Sequence, residues 1–147
     1  MKDFPSLEEL LPHRPPMVLI DEIVDFDEEN KVLIAAFTVR SEWKHNLSAI
    51  EYMAQTSAAL AGMSDLLERP GEPARPGFLL GTRRMVLNIA EFEVGRRYTV
   101  KSTLAFSDYE AASFDCAISC DCEEVASATL NAYRPSDIGS FLAENRR

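Results

Sequence analysis

The chain has 147 residues, 46% of them hydrophobic and 27% charged, with a net charge of −9, which suits one domain with a real core. The acidic balance argues against nucleic acid and anionic membrane as main partners, and no apolar run approaches the ~20 residues of a membrane span. The N-terminus lacks a basic-then-apolar leader pattern, so the cytoplasm is the expected location.

Taken in order, Leu7 to Leu11 reads as a short amphipathic turn of helix ended by Pro12. His13-Arg14-Pro15-Pro16 then forces extended backbone, with His13 expected to make a structural hydrogen bond at a sheet edge. Met17 to Phe26 is predicted as a strand with Val18, Ile20, Val24 and Phe26 on one face. Asp21 and Asp25 take the other face. After the polar turn Asp27-Glu28-Glu29-Asn30, Lys31 to Arg40 forms a second strand. Its continuous apolar run predicts cover on both faces, and the short turn predicts a hairpin. Ser41 to Leu47 is an irregular connection carrying Trp43, Lys44 and His45.

Ser48 to Leu66 is the stretch around which the rest is organised. Ser48 and Glu51 form a Ser-x-x-Glu capping box, and beyond it the helix is apolar nearly all the way round. Ala54, Ala58, Ala59, Ala61 and Gly62 let other backbone approach closely. A helix without a charged face is a buried one, wrapped by other elements. Glu51 and Gln55 lie four apart and share a face. A carboxylate there needs a reason, because burying one is costly. Capping is one reason; a catalytic acid or base facing an enclosed substrate is another.

A Pro- and Gly-rich loop follows from Glu68 to Gly77. Four strand signals come next: Phe78 to Ile89, Arg97 to Ser107, Ala111 to Cys122, and Val125 to Arg134. In the second, Tyr98, Val100, Leu104 and Phe106 share a face. In the third, Phe114, Cys116, Ile118, Cys120 and Cys122 do, and in the last Ala126, Ala128, Leu130 and Ala132. Clean alternation marks an antiparallel sheet with one wet face. The three cysteines are read as buried, reduced thiols, since neighbours on one face of a strand point in parallel and no clustered histidine completes a metal site. Ser136 to Asn145 is expected to add a small helix. Between Arg69 and Lys101, seven basic residues stand against three acidic ones, a local +4 suited to an acidic partner. Strand, strand, long helix and four strands describe an α+β domain over residues 1–147, a curved six-stranded antiparallel sheet around one central helix.

Two motifs within this order carry a family resemblance. Leu11-Pro12-His13-Arg14-Pro15-Pro16-Met17 resembles the Leu-Pro-His-Arg-x-Pro opening of the hotdog-fold beta-hydroxyacyl-ACP dehydratases, and Glu51-Tyr52-Met53-Ala54-Gln55 resembles the Glu-x-Met-Ala-Gln signature of their central helix. The nearest likeness is to the divergent subgroup of aryl-polyene and related lipid clusters. The resemblance implies the hotdog fold, an acyl carrier protein bearing an acyl thioester as partner, and no cofactor or metal. It also implies a dimer with active sites at the seam, either of two copies or of this chain with a paralogous dehydratase. It carries Glu51 over as a catalytic residue and the family's glutamine over to Gln55. Gln55, Ser48, Leu80 and Gly81 are the expected substrate contacts, with Gln55 orienting Glu51 or a substrate group, or else serving as a core amide bonded to backbone. The family's Gly-His-Phe-Pro-Gly segment has no counterpart here, so its histidine does not carry over.

Dehydration of a 3-hydroxyacyl thioester needs a base for the proton beside the carbonyl, an acid for the leaving hydroxide, and help for the enolate oxygen. The positive end of the helix can supply the last. Glu51 is the candidate acid and His45 the candidate base; an exposed loop histidine is the other reading of His45. Arg83, Arg84, Arg96 and Arg97 are the candidate carrier-protein contacts. Two further readings stay open: an acyl thioesterase using Glu51 to activate water, and a catalytically silent acyl-binding partner subunit.

Overall fold

The computed structural model describes residues 4–11, 17–68, 70, 77–108 and 110–133. His13 with its neighbours and the expected helix over 136–145 lie outside them. Two α-helices and six strands carry the architecture of the described residues. They run α1 (Leu7–Leu10), β1 (Glu22–Asp27), β2 (Val32–Thr38), α2 (Ala49–Glu68), β3 (Phe78–Leu87), β4 (Arg97–Asp108), β5 (Ala111–Cys120) and β6 (Glu123–Tyr133). The strands form one antiparallel sheet in the order β1-β2-β4-β5-β6-β3. Helix α2 lies against its face, chiefly on β4, β2 and β5. This is the hotdog arrangement.

Alternation along the central strands builds the seat for the helix. Ala35, Val100, Ile118 and Ala126 stand opposite one another across β2, β4, β5 and β6, and all are buried. Leu33, Ser102, Cys116 and Ala128 form the next inward row. Small side chains in both rows let α2 approach closely. Four aromatic rings close one end of the core. Phe37 stacks on Tyr52 with centroids 3.7 Å apart and on Tyr98 at 5.5 Å. Phe92 stands edge-on to all three, the geometry favoured by ring quadrupoles. The Tyr52 hydroxyl donates to the Trp43 carbonyl at 3.1 Å, and the Tyr98 hydroxyl accepts from the Glu93 N–H at 3.1 Å.

The structure corrects four expectations. The helix is not buried all round: Ala54, Ala58 and Ala61, in line with Glu51, form a half-buried stripe that the chain's own sheet leaves partly uncovered. Val24 is 43% exposed, because a register shift between Ile23 and Asp25 moves it off the inward face. Phe106 is exposed for the same reason, a shift between Leu104 and Phe106. Only Cys116 of the three thiols is buried. Cys122 is exposed because the chain turns there, with Asp121 and Cys122 at φ of 50° and 67° joining β5 to β6.

Gly62 is where α1 crosses α2. A methyl group there would sit 2.3 Å from the Leu10 carbonyl oxygen, which belongs to backbone that cannot rotate away. Gly62→Ala is therefore expected to push α1 off the helix and cost about 1–3 kcal/mol, despite the better helix propensity of alanine. Urea unfolding measures it; an unchanged or raised midpoint would show that α1 does not need this contact.

Burial pushes the Tyr52 phenol up to about 12, with Asp21 and Glu42 adding to the rise and Arg40 opposing it. An unfolded tyrosine ionises near its ordinary value of 10.0. Tyr52 thus contributes fully below pH 10, and its contribution is lost progressively as pH rises through 12, by up to about 2–3 kcal/mol. Chemical unfolding from pH 8 to 12 is expected to show a steeper alkaline loss in the unmodified protein than in Tyr52→Phe. Equal slopes would contradict the assignment.

Candidate functional site

The approach to α2 is made by two short 3-10 turns, Ser41–Trp43 and Asn46–Ser48. His45 sits between them and caps the second: its Nδ1 accepts from the Leu47 N–H at 3.1 Å. Its backbone bridges Glu91, and the Asn46 side-chain amide donates to the Ile89 carbonyl at 3.0 Å. The connection is thereby pinned to the segment before β4. Because Nδ1 is the acceptor, the neutral imidazole carries its hydrogen on Nε2. An imidazole held this way presents a donor rather than the lone pair a base requires.

Glu51 stands in the first turn of α2, at the head of the half-buried stripe. Gln55, one turn on, is fully buried. Its Oε1 accepts from the Leu19 N–H at 2.8 Å, and its Nε2 donates to the Met17 carbonyl at 2.6 Å and to Glu51 Oε1 at 3.0 Å. Gln55 therefore orients Glu51. It does so with an amide whose two donor hydrogens are both engaged within the chain, so it offers no further donor to a substrate. Ser48 ends the 3-10 turn just before the helix, its N–H bonded to the His45 carbonyl at 2.9 Å. The 3-10 turn and the first two turns of α2 thus gather Ser48, Glu51 and Gln55, with His45 capping the 3-10 turn.

Leu80 and Gly81 lie elsewhere. They are on β3, one of the two edge strands of the described sheet, separated from β4 by both β5 and β6. Leu80 is 66% exposed. The four arginines do not form one patch. Arg83 pairs with Thr129, Thr129 with Asp115 and Asp115 with Thr103, which puts Arg83 six residues along and three strands across from Arg97. That is about 20 Å by about 14 Å on a pleated sheet. Arg97 is paired with Glu22, while Arg96 bridges Glu93 and Asp121, pairings that raise its pKa, Asp121 most of all. Arg83 and Arg84 are exposed on β3, Arg84 at φ 55° in a second register shift.

Two features escaped the sequence reading. The backbone of Met17 to Leu19 holds Gln55, and the Arg40 Nη2 donates to the Val18 carbonyl between them at 3.0 Å; backbone partners leave no side-chain signal. Behind the stripe, Ser57, Ser102 and Cys116 form a buried polar cluster. The two serine hydroxyls are 2.8 Å apart, and burial pushes the Cys116 thiol up. Among the described residues no group of His, Cys, Asp and Glu is arranged to hold a metal ion. No described helix is long and apolar enough to cross a membrane.

The family described as ApeP dehydratase matches residues 5–143 of the chain. No curated protein sequence matches. Among solved structures, the chain is similar to one from the dehydratase heterocomplex ApeI:P of Xenorhabdus doucetiae. The two share 24% identity with a TM-score of 0.83, and the match covers 98% of this chain and 100% of that one. An HP0420 homologue from Helicobacter felis shares 12% identity, with a TM-score of 0.67 and coverage of 94% and 95%. A hypothetical thioesterase with coenzyme A from Streptococcus pneumoniae shares 13%, with a TM-score of 0.58 and coverage of 78% and 84%.

Proposed function

The chain belongs to the ApeP-like dehydratase family, and on that premise we propose that it removes water from 3-hydroxyacyl thioesters borne by an acyl carrier protein, in cytoplasmic fatty-acid or aryl-polyene-type lipid synthesis. The observation that carries this reading is Glu51, oriented by Gln55 at the start of a 20-residue helix and facing the stripe of small residues. An extended acyl chain needs such a stripe to lie along.

In this reading Glu51 does the proton transfer. Its carboxylate takes the proton beside the thioester carbonyl, the electron pair forms the carbon–carbon double bond, and the C–O bond to the hydroxyl breaks. The leaving hydroxide receives that proton from Glu51 and departs as water, so the carboxylate is regenerated. The positive helix end stabilises the enolate oxygen. His45, with its hydrogen on Nε2, serves as a polar donor at the entrance rather than as the base.

A second chain would complete the site. Among the described residues β3 is paired on one side only, and Leu79, Leu80 and Val86 are exposed along it, an edge that proteins normally pair or cover. The likeness to a member of a dehydratase heterocomplex favours a paralogous dehydratase over a second copy, with the Leu80–Gly81 segment meeting the partner's site. The decisive experiment is mass spectrometry of 3-hydroxyacyl carrier protein incubated with this protein, alone and with such a partner. Loss of water is expected. Glu51→Gln should lower turnover by ~10²-fold or more, the range for a lost general acid or base, and His45→Ala by far less. Free acid as product would replace dehydration by thioester hydrolysis, and no turnover in any combination would leave a silent subunit.

Arg83 and Arg84, the exposed pair on β3, are proposed to receive the acidic carrier protein, since Arg96 and Arg97 already have carboxylate partners. Binding should weaken as salt rises, because the Debye length is ~8 Å at physiological ionic strength. It should fall sharply in an Arg83→Glu, Arg84→Glu variant. Carrier-protein affinity indifferent to both, measured by titration calorimetry, would remove the pair from the interface.

A further inference from the structure

We propose that Arg40 and the Met17–Leu19 strap position the Glu51 carboxylate through Gln55; the inference rests on the catalytic role given to Glu51 above. The Gln55 amide cannot turn over. Its Oε1 faces the Leu19 N–H and its Nε2 faces the Met17 carbonyl. A flip would set donor against donor and acceptor against acceptor inside the core, where each unmatched group carries a desolvation penalty. With the amide locked, the second Nε2 hydrogen has one direction, toward Glu51 Oε1. That oxygen is held as an acceptor, so a proton on Glu51 belongs on Oε2. Gln55 thus keeps Oε1 engaged as an acceptor.

The strap that locks Gln55 needs an anchor of its own. Its inner bonds come from residues 17 and 19, and the carbonyl between them, on Val18, is taken from the other side by Arg40. Arg40 follows directly on β2, past Val39, whose N–H bonds to the Arg96 carbonyl. Two residues further along the strap, the Asp21 N–H bonds to the Ala36 carbonyl and the Asp21 carboxylate accepts from the Thr38 N–H at 2.6 Å. The strap is therefore tied to the sheet by Arg40 and Asp21, and to the helix by Gln55. Arg40 acts on the carboxylate in series: guanidinium, Val18 peptide, Gln55 amide, Glu51. Both Arg40 and Gln55 are positioning residues.

Carbodiimide-driven labelling of Glu51 with an amine, followed by mass spectrometry and referenced to Glu28 and Glu29 in the exposed β1–β2 turn, tests this without requiring turnover. Gln55→Met is expected to change the Glu51 labelling rate about ten-fold, the scale of one hydrogen bond to a charged group. Arg40→Ala should change it in the same direction by less, and Arg40→Lys, which keeps a donor, should restore it. Adding Arg40→Ala to Gln55→Met should do nothing more, because the link is already cut. In the dehydration assay the same variants should lower kcat with KM kept. Unchanged Glu51 labelling in a folded Arg40→Ala protein overturns the proposal, as do independent, additive effects. Absence of turnover in the unmodified protein would overturn the dehydratase reading alone, and the labelling would still decide the positioning.

Discussion

A helix that carries ten buried residues into a core, three of them polar, is stable only if each polar group finds a partner there. On α2 every one does. Thr56 donates back to the Tyr52 carbonyl at 2.8 Å. Ser57 donates to the Met53 carbonyl at 2.9 Å and meets Ser102 and Cys116 across the helix–sheet seam. Gln55 takes its partners from the strap that leads into β1. These bonds set the height and rotation of the helix on the sheet, where apolar contact alone would tolerate sliding. The site inherits that rotation: it turns Glu51 and the small-residue stripe to the side that the sheet leaves partly open.

The same rotation leaves the chain with an unfinished surface. The half-buried stripe of Ala54, Ala58 and Ala61 and the edge strand with its exposed leucines are separate features of one chain. Each is costly to leave in water, though for different reasons: apolar area on the helix, unpaired peptide groups and apolar side chains on the strand. The charge distribution fits this division. Arginines on β4 and before it are neutralised locally by Glu22, Glu93 and Asp121, while those on β3 stand exposed beside the apolar edge.

Most of the fold was legible in the sequence, and so was the pairing of Glu51 with Gln55 in the candidate site. Hydrophobic periodicity located all six strands and the long helix, because burial on one face writes a repeat of two or 3.6 into the chain. The first strand, expected from Met17, begins only at Glu22, since residues 17–19 bond to Gln55 of the helix instead of to a strand. Small residues announced close packing, and Gly62 meets the Leu10 backbone as that implies. Glu51 stood out because a carboxylate on an apolar helix demands a reason, and the Glu51–Gln55 spacing placed the two side chains on one face, where they bond.

Tertiary structure decided what periodicity cannot encode. Register shifts put Val24 and Phe106 outside although alternation had placed them within, since one extra residue in a strand reverses every face after it. Backbone atoms chose the partners of Gln55, and any residue supplies the same N–H and carbonyl. His45 became a cap through a bond to a neighbouring amide, which fixed its tautomer. The arginines clustered in sequence were dealt to opposite parts of the sheet, because strand order brings β3 beside β6 rather than β4. Local pattern determined which elements form; the pairing of distant backbone determined where their side chains point and meet.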